Sequence, residues 1–191
     1  MQPAATNHVP QSPPEVVLRM VSDFRYLAGA REMVAGTAKR FGFSHDSSSH
    51  LALAVDEALC NVIRHGYKQA PGNPIWVKIW PLEDDGQLGP GLCIVIEDEA
   101  EQIDPSAIQG RDLDDIRPGG LGVHIIRQVV DEAQYAAREE AGMRLTLVKR
   151  TNGPSAQRTR ELTNRCAENT SCDGLPPSAD ASADHDRRTG A

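Results

Sequence analysis

The stretch LAVDEALCNVIRHGY, Leu53 to Tyr67, repeats apolar residues at helical spacing yet carries Asp56, Glu57, Asn61, Arg64 and His65 inside the same run. Leu51, Val55, Ala58, Leu59, Val62 and Ile63 form an apolar stripe that must be covered by another layer of structure. Glu57, Asn61 and either Arg64 or Lys68 fall on a second face, at spacings of three and four. Such a helix therefore packs one face into a core and presents an acid, an amide and a base on another. A solvated surface would explain Glu57 and Asn61 as an isolated pair, so the rest of the chain decides what that second face is for.

The covering layer is legible as strands. EVVLRMV is short, β-branched and preceded by prolines; IWVKIW alternates; LCIVIED is a continuous apolar run of the kind found in a central strand. The turn-rich DDGQLGPG links the last two as a hairpin. Between the first strand and that hairpin, Asp23 reads as the N-cap of a helix through Arg40 ended by Gly42, and Ser44 or Asp46 opens the next helix, which runs to Gly66. A polar span of more than twenty residues, EAEQIDPSAIQGRDLDDIRPGG, then precedes a helical period over LGVHIIRQVVDEA, and two strands, AQYAARE and RLTLVKR, close the domain around a turn at Ala141-Gly142. The order β-α-α-β-β-loop-α-β-β predicts an α+β fold with helices layered on one sheet.

The folded part is expected over residues 15–150. Residues 1–14 hold four prolines and almost nothing apolar, and residues 151–191 have hardly any large hydrophobe, so both are expected to be disordered tails. The net charge of −7 argues against a general nucleic-acid binder, since phosphate backbones reward clustered Lys and Arg. No apolar leader or membrane-length run is present, and Cys60, Cys93, Cys166 and Cys172 show no CxxC pairing. The expectation is a cytoplasmic protein with reduced thiols.

Two further segments suit a nucleotide. Asp98 ends a buried strand, where a carboxylate can accept a hydrogen bond from an amino group at the sheet's edge; a turn former or cap is the plain alternative. Gly119, Gly120 and Gly122 lie before or at a helix start, where bare backbone can approach phosphate and the helix N-terminus favours negative charge; a tight turn would also use them. His65 reads as a cap on helix carbonyls, with a secondary place near the site, and His124 as structural. The acids of RDLDDIRP, paired with their own arginines, read as a solvated loop rather than a metal site.

Glu-x-x-x-Asn with a following His, an Asp at a strand end, and GGLG at a helix start, in that order, resemble the GHKL ATPases. Within them the chain is similar to the small stand-alone serine-protein kinases that act as anti-sigma factors, the RsbW and SpoIIAB type. The resemblance implies a Bergerat fold, a mixed sheet covered on one face by helices, binding ATP and Mg²⁺. It implies that Asn61 holds Mg²⁺ against the phosphates, that Glu57 is the catalytic carboxylate toward the attacking hydroxyl, and that Asp98 reads adenine. Gly119, Gly120 and Gly122, with the backbone of Leu121 and Val123, would hold the β- and γ-phosphates, and residues 99–120 would form a lid. The implied partners are an anti-sigma factor antagonist (STAS-type) and a sigma factor, with a possible homodimer through the first strand and helix, and neither nucleic acid nor membrane.

Two places depart from the family pattern. Asp98-Glu99-Ala100-Glu101-Gln102 stands where glycines usually follow the aspartate, and Gly142-Met143 replaces a common Gly-Thr pair. These motivate a second reading, a non-catalytic partner-switching module of the same fold. A sensor histidine kinase is the third reading; no helical region with a phosphoacceptor His stands before the domain.

Overall fold

The alternation along Ile75 to Trp80 becomes a strand whose two faces have different fates. In the computed structural model, which describes residues 9–84, 86–108 and 121–153, Ile75, Val77 and Ile79 are buried beneath helices, while Trp76, Lys78 and Trp80 face the other way. The chain runs through β1 (Val16–Val21), α1 (Leu27–Arg40), α2 (His45–Asn61), β2 (Pro74–Leu82), β3 (Gly91–Asp98), α3 (Leu121–Val129), β4 (Glu132–Ala137) and β5 (Met143–Arg150). The expected element order is thus present.

The strands form one sheet in the order β1-β2-β3-β5-β4. Every pairing among them is antiparallel, where a mixed sheet was expected. The reason lies in the connections. α1 and α2 form an antiparallel pair that returns the chain antiparallel to β1, and the α3 crossover brings β4 back in the direction of β3. β5 then inserts between β3 and β4, so two co-directional strands never touch. β3 sits at the centre of the sheet and is buried along its whole length.

Local signals explain the helix ends. Ser44 Oγ accepts the Ser47 N–H at 3.1 Å and caps α2. Asp23 caps a short 3₁₀ turn, Phe24–Tyr26, that leads into α1, rather than α1 itself; its Oδ1 accepts from Arg25 N–H at 2.9 Å. α1 buries Leu27, Ala30, Val34 and Ala38. α2 buries Leu51, Val55, Ala58 and Leu59, and Ile63 continues the stripe; each large side chain so removed from water contributes about 1.5–3 kcal/mol. Asp56, inside the same run, faces Arg31 of α1, with 3.8 Å between charged atoms. α3 stops at Val129, four residues earlier than its periodicity extends, because Asp131 N–H already bonds the Val148 carbonyl and Glu132 opens β4; Lys149 Nζ donates to the Val129 carbonyl at 2.7 Å and closes the helix end.

The face of the sheet away from the helices carries a second cluster, Trp80, Cys93, Val95 and Val148, with Val9 and Leu82 packed against it. Residues 9–14 belong to the tail by composition, yet Trp80 Nε1 donates to the Ser12 carbonyl at 2.7 Å. One indole and its apolar neighbours suffice to hold a Pro-rich segment that has no core of its own. Burial pushes the Cys93 thiol up to about 12, so this cysteine is an inert hydrophobe at neutral pH. No helix among the described residues is long and apolar enough to cross a membrane.

Candidate functional site

α2 ends where the site begins. Asn61 is its last α-helical residue, and Val62–Gly66 continues as a π turn whose closing bond is Tyr67 N–H to the Val62 carbonyl at 2.8 Å. Glu57 and Asn61, one turn apart, are both half-buried, and neither side chain has a hydrogen-bond partner among the described residues. Opposite them stands Gly122 in the first turn of α3. A methyl group there would lie 2.7 Å from Glu57 Oε2 and 3.4 Å from Asn61 Nδ2. The missing side chain of Gly122 thus lets the start of α3 close directly onto the acid and the amide. α3 has no acidic residue in its first turn, so its N-terminal dipole is not offset by a carboxylate of its own.

Gly119 and Gly120, and the acids of the RDLDDIRP run, lie outside the described residues, as do Cys166 and Cys172; so does the side chain of Leu121. Val123 is half-buried in α3. Arg64 does not join Glu57 and Asn61: its guanidinium lies 5.7 Å from the centroid of the Phe24 ring. Lys68 instead pairs with Glu101, at 3.2 Å. His65 is exposed and makes no hydrogen bond among the described residues, whereas His124 Nε2 is buried without one.

Asp98 forms the second half of the site. It lies opposite Ile75 of β2, so its side chain leaves the sheet on the helix-covered face. It is only 4% exposed. Its Oδ1 accepts two backbone N–H groups, from Ala100 at 2.8 Å and Met143 at 3.2 Å. The other oxygen has no hydrogen-bond partner among the described residues. Burial pushes the carboxyl above its usual range; the two amides and Arg138 pull partly the other way. A deeply placed carboxylate with one committed and one open oxygen suits a neutral N–H donor.

The two halves meet through small residues. A side chain on Gly66 would press on the Ala100 methyl at 3.0 Å, so the methyl that stands in place of a glycine is accommodated by the glycine opposite it. Ala100 is 7% exposed. Gly142, at φ +85°, lies against the Asp98 carbonyl with no room for a Cβ. Tyr67 bridges the ends of β2 and β3: its hydroxyl donates to the Pro74 carbonyl at 2.6 Å and accepts the Glu99 N–H at 2.7 Å. Tyr67 and Arg138 were absent from the residues singled out in the sequence; a tyrosine just after α2 and its π turn was the only hint of either.

Among the described residues no group of three or more His, Cys, Asp or Glu could hold a metal ion. The donor set at Asn61 therefore suits only a cation that takes most of its ligands from elsewhere, as Mg²⁺ does from phosphates and water.

A family model described as the histidine kinase-like ATPase domain matches residues 20–149. The chain is 22% identical over 157 residues to the serine-protein kinase RsbW of Bacillus subtilis strain 168, covering 78% of this chain and 93% of that protein. It is 27% identical over 135 residues to RsbW of Listeria monocytogenes serotype 4a, covering 69% and 85%. RsbW of Staphylococcus epidermidis is 26% identical over 142 residues, covering 70% and 85%.

Proposed function

Since the chain belongs to the histidine kinase-like ATPase domain family, we propose that it is an ATP-dependent serine-protein kinase acting as an anti-sigma factor. In this reading it phosphorylates a STAS-type anti-sigma factor antagonist and sequesters a sigma factor in the cytoplasm, with a homodimer as the working unit. The observation that carries the reading is the closure of Gly122 onto Glu57 and Asn61. It brings an acid, a side-chain amide and the first turn of a helix together, an arrangement that suits transfer of a phosphoryl group to a hydroxyl.

The roles follow from chemistry. Asp98 accepts the amino group of adenine through its open oxygen. Gly119, Gly120, Leu121, Gly122 and Val123 offer backbone to the phosphates. Asn61 holds Mg²⁺, whose charge, when bound, offsets that on the transferred phosphoryl group. Glu57 orients the attacking serine hydroxyl and takes its proton.

Calorimetry with ATP·Mg²⁺ on the wild type, Glu57→Ala and Asn61→Ala, run beside a phosphoryl-transfer assay, tests this. Glu57→Ala should keep nucleotide affinity and lose transfer by about 10²–10⁴-fold, while Asn61→Ala should weaken Mg²⁺-dependent binding. A folded wild type that binds no ATP·Mg²⁺ would defeat the reading. So would equal activity in both variants.

One observation favours a second reading, the non-catalytic partner switch. Glu101 and Gln102, standing where glycines usually follow the aspartate, hydrogen-bond Lys68 and the Arg138 carbonyl instead of leaving bare backbone there. ATP that alters partner affinity without any phosphoprotein forming would select it.

A further inference from the structure

Contacts from three directions converge on Arg138, which lies outside every motif read in the sequence. Its N–H donates to the Gly142 carbonyl at 3.0 Å and closes the β4–β5 turn. Its carbonyl accepts Gln102 Nε2 at 2.6 Å. Its Nη1 donates to the main-chain carbonyl of Asp98, and its guanidinium lies 5.6 Å from the centroid of the Trp76 ring.

The β3–β5 ladder stops at Glu97 and Arg144. From there the peptide group joining Asp98 to Glu99 is held at both ends by side chains: its carbonyl by Arg138 and its N–H by the Tyr67 hydroxyl. A peptide plane held at both ends does not rotate freely, and it anchors one side of the Glu99 dihedrals through which the Ala100 N–H is aimed. That N–H is one of the two fixing Asp98 Oδ1. The Trp76 ring, 5.6 Å from the guanidinium, attracts the cation from its face, and the planar fork donates to the Asp98 carbonyl in a geometry an ammonium group would not reproduce.

The geometry points to Arg138 as a positioning residue that sets the direction of the Asp98 carboxylate, and through it the recognition of the base. This rests on the proposed role of Asp98 toward adenine. Arg138 touches neither nucleotide nor phosphate in this scheme; it acts through one peptide group.

The test uses the full chain in two stages. Without nucleotide, amide exchange in Arg138→Met should accelerate at Ala100 and Met143 by about tenfold, the scale of one lost charge-assisted hydrogen bond, with the core amide of Ile94 unchanged as a folding control. Arg138→Lys should fall between the two. With nucleotide, ATP affinity should weaken about tenfold in Arg138→Met while ribose 5-triphosphate, which lacks the base, binds as to wild type. Unchanged exchange at Ala100 and Met143 would overturn the assignment, and so would equal weakening of both ligands. A wild type that binds no ATP, with exchange still accelerated in Arg138→Met, would sink the kinase reading and leave the peptide clamp standing.

Discussion

Replacing Gly122 with alanine adds one methyl group at the point where α3 meets α2, and stability and activity should respond in opposite directions. The new Cβ would lie 2.7 Å from Glu57 Oε2, whereas ordinary contact begins near 3.4 Å, so the carboxylate must retreat by about 0.7 Å. That retreat is cheap, because Oε2 is the far end of a flexible side chain and no hydrogen bond holds it among the described residues. Asn61 Nδ2, already at 3.4 Å, can stay where it is. Alanine in a helix is better than glycine by about 0.5–1 kcal/mol, less in the first turn, so Tm should hold or rise by about 1–3 °C. Catalysis tells the other half: misplacing a reacting group by about 1 Å costs on the order of 10²-fold, so kcat for phosphoryl transfer should fall roughly 10- to 100-fold with the KM for ATP nearly unchanged. Thermal melting and steady-state transfer assays on the same preparation check both. A variant with full kcat would show that the placement of Glu57 is not critical. A Tm lowered by more than a few degrees would show that Glu57 cannot move, and the picture of an untethered carboxylate would be wrong.

Gly142→Ala should behave differently, because its Cβ meets main chain rather than a side-chain end, and φ there is +85°. Strain and overlap together should cost about 2–5 kcal/mol, read as a lower urea midpoint, and nucleotide affinity should fall with it; an unchanged midpoint would refute the packing. Glu97→Gln tests the polar cluster on the open face of the sheet. Glu97 is 5% exposed and is bonded by Lys78 Nζ at 2.6 Å and Arg144 Nε at 2.7 Å. Burial alone pushes its carboxyl up, but the two cationic hydrogen bonds outweigh burial and leave it below the usual range. A lowered folded-state value stabilises above the ordinary glutamate value and is lost as pH falls through the lower one. The wild type should therefore exceed Glu97→Gln by about 1–2 kcal/mol at neutral pH, toward the low end because Arg144 is 43% exposed, and the gap should close in acid. A gap independent of pH in urea titrations would refute the assignment.

The element order was readable because each pattern is clean: Ile75 to Trp80 alternates, α2 holds its stripe over four turns, and Leu92 to Ile96 is an unbroken apolar run. Asp98 and the Glu57–Asn61 pair were readable for the same reason, since strand end and helical spacing fix where such side chains emerge. What stayed hidden was set by partners distant in sequence. The π turn after Asn61 is a shift in hydrogen-bond register, and nothing in VIRHG marks it. Arg138 acquires its place only when the β4–β5 turn folds onto the end of β3. The strap of residues 9–14 depends on a tryptophan some seventy positions away. The wholly antiparallel sheet depends on β5 entering between β3 and β4, which no local pattern can announce.

That insertion also governs how the protein comes into being on the ribosome. β3 gains its second neighbour only from β5, the last strand described, and β4 has no place in the sheet until β5 arrives. Until Met143–Arg150 has emerged, a nascent chain carries its most apolar strand as an unsealed edge, and the aspartate at the end of that strand lacks the Met143 amide. The sheet is therefore sealed only when its central partner strand arrives, and until then β3 offers an open edge for pairing.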